Sequence, residues 1–193
     1  HLGLDPYLEL TGLAYRITPE RSKNGRPRVN TEVMYDNMLH KFKYGNMNVP
    51  GIYIDENTMR MCRTHRMMFM ELAEALYNEG KHDKCLEVLD FAEEMLPGYN
   101  IPYDYTSATM ASYYYELGEM EKGNAIMTKV ADNCAEYMEW GASLLKEQHA
   151  SAQSTLQHQM AILGYVLQNF ERYEQKELFN QYYNVYVQYA SVR

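Results

Sequence analysis

A chain of 193 residues with 46% apolar and 23% charged side chains can bury the core of one domain, or of one domain and a small appendage, and has a globular make-up. Lys and Arg number 18 against 26 Asp and Glu, and the net charge of −8 excludes the basic face that a nucleic-acid surface needs. No run of about 18 apolar residues occurs, so no segment has the length of a helical bilayer span.

Residues 1–28 read as extended or irregular chain. "LELTGLAYRI" is rich in β-compatible residues, whereas "TPERSKNGRPR" is a solvated loop with four Arg or Lys residues, a glycine and two prolines. Val33, Met34, Met38 and Phe42 fall at helical spacing, which predicts a short amphipathic helix over 29–43 ended by Gly45. The loop "GNMNVPGIYI" follows. Asp55 or Asn57 can then cap a long helix with Met59, Cys62, Phe69, Leu72, Ala73 and Leu76 on its buried face, stopping near Gly80. Cys85, Val88, Leu89, Ala92 and Leu96 trace the next buried stripe, and Pro97 and Gly98 terminate it.

This helical hairpin carries the spacing of a tetratricopeptide repeat, in which large and small residues at fixed places let antiparallel helices interlock and stack. With Arg66 first, Phe69 takes the large aromatic place, and Leu72, Ala73 and Leu76 take the first-helix packing places. Gly80 is then the turn, Cys85 the small residue, Leu89 the second large one, Ala92 the second small one and Pro97 the end. A second copy follows 38 residues on, with Gly118 as its turn, Met110, Ala111 and Tyr114 in one helix and Gly123, Met127 and Val130 in the other. A third, with Leu163, Gly164 and Leu167, has Glu171 where the turn glycine belongs, and reads as a degenerate terminal hairpin that closes the stack. The fold expected is therefore mostly α: tetratricopeptide-like stacked hairpins forming a superhelix over 56–193 (about 56–99, 104–140 and 150–193), preceded by an irregular or short-β segment over 1–55.

Chemistry-bearing clusters are few. Cys62 with His65, and His82 with Cys85, have the three-residue spacing at which one helix face can share zinc, but Cys85 occupies a packing position, so burial is preferred over metal binding. Three cysteines are too few for a disulfide scaffold. Arg60, Arg63 and Arg66 form a candidate patch for an anionic group or partner; pairing with the chain's own surplus carboxylates competes with that role. Asp55 and Glu56 could serve as acids, although a helix start explains them better. No catalytic motif is present, and neither a cofactor nor a metal is expected.

The 19 tyrosines against five phenylalanines favour surfaces with an apolar body and a polar tip. Repeat arithmetic sets Met67, Met70, Glu74 and Tyr77, then Tyr105, Ala108, Ser112, Tyr115 and Glu116, along a groove suited to an extended peptide or a partner helix. The alternative, that the N-terminal segment or terminal helices fill that groove, stands open.

"LTGLAYRITP", "YDNMLHKFKYGNM", "YIDENTMRMCRTHRMMFMELAEAL" and the hairpin at 76–97 together resemble the C-terminal soluble region of a family of large bacterial polytopic membrane proteins. That family has been classed as a domain of unknown function, and its membrane part is similar to GT-C glycosyltransferases of the protein O-mannosyltransferase kind. The resemblance covers most of residues 4 to about 140. The opening "HLGLDPYLELTGLAYRITP", already patterned like folded protein, leads one to expect a domain cut from a longer polypeptide, and with no Met start, cationic leader or small-residue cleavage site a precursor with its signal peptide is not expected. On the resemblance, this tail would be extracytoplasmic and non-catalytic, touch the membrane only through the part preceding it, and position an acceptor polypeptide. The alternative is a scaffold for homo- or hetero-oligomer assembly with no ligand groove.

Overall fold

The computed structural model describes residues 3–144 and 146–190, so the ends of the expected segments at 1–2 and 191–193 lie outside the described residues. The protein is mostly helical, with a small sheet near its N-terminus. It forms two compact units, His1–Pro102 and Tyr103–Arg193.

In the first unit, the β-compatible stretch folds into a hairpin. Strand β1 (Leu8–Leu10) pairs antiparallel with β2 (Tyr15–Ile17) and parallel with β3 (Arg28–Val29), in the order β2-β1-β3. Glu9, on the central strand, is buried between Arg16 and Arg28, at 2.5 and 2.8 Å, and accepts a third bond from Asn30. Burial alone would raise its pKa, but the three hydrogen bonds outweigh it and hold the carboxyl below the usual value.

The helix expected over 29–43 begins at α1 (Thr31–Asp36), because Val29 is drawn into β3 and Asn30 caps the helix by accepting the Val33 N–H. A π turn (Asn37–Lys41) prolongs it, and Phe42 leaves in extended conformation to lie over Gly12. A Cβ on Gly12 would stand 2.8 Å from that ring and would have to displace it, and the backbone there has φ +146°, which favours glycine. Asp55 is the cap of α2 (Glu56–Asn78), accepting from the Asn57 and Thr58 amides. Hydrogen bonds from the Thr58 hydroxyl and amide hold its pKa below the ordinary value, so the capping role is the one observed. Helix α3 (His82–Met95) returns antiparallel, and Tyr44, Phe69 and Phe91 meet at ring separations of 5.7–5.9 Å in the core.

The second unit holds α4 (Tyr105–Glu116), α5 (Met120–Ser143), α6 (Lys146–Arg172) and α7 (Lys176–Ala190). Gly141 is buried, and its missing side chain lets α5 approach Leu156 of α6.

All three hairpins turn the same way. Gly80, Gly118 and Glu174 take positive φ (73°, 84° and 59°). The next residue donates its N–H to the carbonyl five positions back: Lys81 to Leu76, Glu119 to Tyr114 and Gln175 to Phe170. This corrects the turn expected at Glu171, which lies inside α6. The register of the third hairpin therefore moves by three residues: Phe170 matches Leu76 and Tyr114, and Phe179 stands where the other hairpins have Cys85 and Gly123.

Candidate functional site

In the second unit a capping box fixes the start of α4. Asp104 accepts from the Ser107 amide while the Ser107 hydroxyl accepts from the Asp104 amide, which places Tyr105 at the first helical residue. Tyr105 is 49% exposed and its ring lies 5.2 Å from that of Tyr165 on α6. At the other end of α4, Glu116 accepts from the Arg172 guanidinium at 2.7 Å and from the Tyr173 hydroxyl at 2.5 Å. Ser112, half-buried between them, donates to the Thr109 carbonyl. Eleven helical steps separate Tyr105 from Glu116, about 16 Å of rise, the reach of roughly five extended residues.

Tyr105, Ser112 and Glu116 thus share one face of α4, α6 adds Tyr165 and Arg172, and the turn after it adds Tyr173, all of which sequence reasoning missed. Two expected groove residues are corrected in placement. Ala108 is fully buried, and Tyr115 is 2% exposed. Its ring lies on Gly123, where a Cβ would stand 2.6 Å away, and its hydroxyl donates to Asn124. Burial pushes the Tyr115 hydroxyl pKa well up. The glycine at this place leaves room that Tyr115 fills.

In the first unit, α2 presents Met67 at 42% exposure, with exposed Glu74 and half-buried Met70 and Tyr77. Tyr77 stacks on His82 at 5.0 Å. Glu71, one turn after Met67, also belongs to this face; partial burial, together with the charge of Glu74, raises its carboxyl pKa. Its i, i+4 spacing from Met67 was the available signal.

The arginine patch does not assemble as expected. Arg60 is exposed and bonds Asn57, and Arg63 is exposed. Arg66 is only 1% exposed and donates to three carbonyls: Leu96 at 2.9 Å, Ile101 at 2.8 Å and Pro102 at 3.0 Å. It has been taken inward to satisfy the acceptors left over at the end of α3 and in the turn beyond.

The cysteine–histidine pairs are likewise divided. The Cys62 thiol lies 3.2 Å from the Met47 sulfur, and the Cys85 thiol donates to the Ala73 carbonyl. Cys62, Cys85 and Cys134 are all buried, and burial pushes each thiol pKa up, that of Cys85 to about 11 and that of Cys134 to about 12. His65 packs edge-on to Tyr44, and its Nδ1 lies 2.7 Å from the Met61 carbonyl oxygen. Among the described residues, no group of three or more His, Cys, Asp or Glu converges as a metal site would require.

No family model matches the chain, and no curated protein or solved structure proved similar to it. Among the described residues, no helix is long and apolar enough to cross a membrane.

Proposed function

We propose that this chain is a non-catalytic, tetratricopeptide-like module that binds an extended polypeptide along the α4–α6 face. The carrying observation is the Tyr105–Tyr165 pair, Tyr105 exposed and Tyr165 half-buried, about one short extended peptide away from the ordered Glu116–Arg172–Tyr173 group. Tyrosine rings give contact area with little ordering cost, and fixed polar groups at the far end set direction. The shared turn geometry of the three hairpins supports the repeat reading. On the resemblance drawn from the sequence, the module is the extracytoplasmic tail of a membrane-embedded, glycosyltransferase-like bacterial protein and positions its acceptor.

The test is calorimetric titration of the chain with ten-residue extended peptides, using the parent, Tyr105→Ala/Tyr165→Ala and Tyr115→Phe. Loss of an aromatic pair should weaken binding by about tenfold, while Tyr115→Phe keeps its ring in the core and leaves binding unchanged. Failure of every peptide to bind the parent would end this reading.

A scaffold reading is favoured by a different observation. Residues 178–190 of α7 contain no charged residue, and Tyr183 and Val187 are exposed there. On a chain of net charge −8, such a face lets two copies meet without repulsion. A concentration-dependent dimer in sedimentation, abolished by Val187→Glu, is the outcome that would support it.

A further inference from the structure

Strand β2 is an open edge. In the hairpin it forms with β1, Thr18 donates to the Tyr7 carbonyl and Thr11 to the Ala14 carbonyl. With the register Glu9↔Arg16, residues 14, 16 and 18 turn their backbone groups toward β1. The N–H and C=O groups of Tyr15 and Ile17 consequently point away from the sheet, on a side where, among the described residues, no further strand lies. Their side chains are also uncovered, at 53% and 64% exposure. Leu13, in the hairpin loop just before them, is exposed as well.

The loop that follows carries a charge opposite to that of the whole. Arg21, Lys23 and Arg26 are exposed, and among the described residues none has an ion-pair partner, whereas Arg16 and Arg28 are committed to Glu9. The Ser22 N–H donates to the Pro6 carbonyl, and the Thr18 N–H to that of Tyr7, so this loop lies at the Ile17 end of the open edge. Three such cations beside an open strand edge are a local exception on a chain of net charge −8.

We infer that β2 is a strand-addition site for an extended acidic segment of another polypeptide. Main-chain bonds to Tyr15 and Ile17 supply the pairing, apolar side chains of the incoming strand cover Tyr15 and Ile17, and its carboxylates meet Arg21, Lys23 and Arg26. Apolar residues beside cations also suit an anionic membrane surface, but that occupant would drive four unpaired backbone groups toward hydrocarbon, which offers them no partner. A strand satisfies them. The inference is independent of the α4–α6 face.

The test uses the whole chain and a synthetic seven-residue peptide alternating glutamate and valine. Saturable binding is expected in calorimetry at low salt, with slowed amide exchange at Tyr15 and Ile17. Reversing the loop charges (Arg21→Glu, Lys23→Glu, Arg26→Glu), all at exposed positions, should weaken binding by about tenfold without altering the melting profile. Two further peptides, N-methylated either at the valines or at the glutamates, should separate: the one whose blocked amides face β2 loses binding, and the other keeps it. Equal binding of both, or binding without protection at Tyr15 and Ile17, would overturn strand addition. Attachment to phosphatidylglycerol vesicles with no response to the peptide would overturn it in favour of a membrane surface. No binding to either would overturn it outright.

Discussion

Replacing Arg66 by Met tests the interior of the first unit most directly. The guanidinium is buried and bonds the carbonyls of Leu96, Ile101 and Pro102 at 2.8–3.0 Å. Methionine keeps much of the apolar stem but has no donor, so three acceptors lose a partner at about 1–3 kcal/mol each if they stay dry. Removing a buried charge returns part of that, leaving a net loss of about 3 kcal/mol. For a unit of this size the melting temperature should fall by at least about 10 °C. Far-UV circular dichroism would follow unfolding, and amide exchange at Asn100 and Ile101 should accelerate, because their turn bonds to Pro97 lie within the clamped segment. Arg66→Lys should recover only part of the loss, since one ammonium cannot reach three carbonyls in a fork. A loss below about 0.5 kcal/mol for Arg66→Met would show that water replaces the guanidinium and would refute the argument.

Other outcomes follow from the packing. Leu89→Ala, at a fully buried position, should cost about 2–5 kcal/mol, and Tyr77→Ala, at a half-buried one, about 1 kcal/mol or less; equal losses in urea unfolding would contradict the register of the first hairpin. Gly123→Ala would place a Cβ 2.6 Å from the buried Tyr115 ring and should destabilise by about 1–3 kcal/mol, an effect that Tyr115→Leu in the same chain should relieve. Glu174→Gly removes a side chain from a left-handed turn and should stabilise by up to about 1 kcal/mol, as thermal melts would show. Hydrogen bonds and charge from Lys81 and Lys84 push the Glu32 pKa down to about 2. Because the folded value is depressed, its contribution is present above the ordinary carboxylate pKa of about 4.5 and is lost as pH falls toward 2. The stability difference between the parent and Glu32→Gln should therefore be flat near neutrality and shrink over that acid window; a difference that grows on acidification would contradict the pairing.

The hairpins were legible because their signals are local. Leu72, Leu76, Leu89 and Ala92 recur with the helical period, and Gly80, Gly118 and Pro97 mark where chain direction changes. The third turn was misplaced because Glu174 adopts a glycine-like conformation that its residue type does not advertise. In the sequence Arg66 reads as part of a cationic patch because charge ordinarily implies exposure, and the three carbonyls that draw it inward lie 30–36 residues away. Tyr77 and Tyr115 occupy the same place in their hairpins, yet only the latter is buried, since Gly123 leaves space there. Tyr105 and Tyr165 meet across two helices, a pairing that no window along the chain contains.

The burial of Cys62, Cys85 and Cys134 makes the chain a natural clock for its own opening. With raised pKa values and no solvent contact, these thiols are nearly silent toward alkylating reagents while their surroundings remain closed. Two of them lie in the first unit and one in the second, so pulse alkylation read by peptide mass spectrometry would time the breathing of each unit separately, with no engineered label.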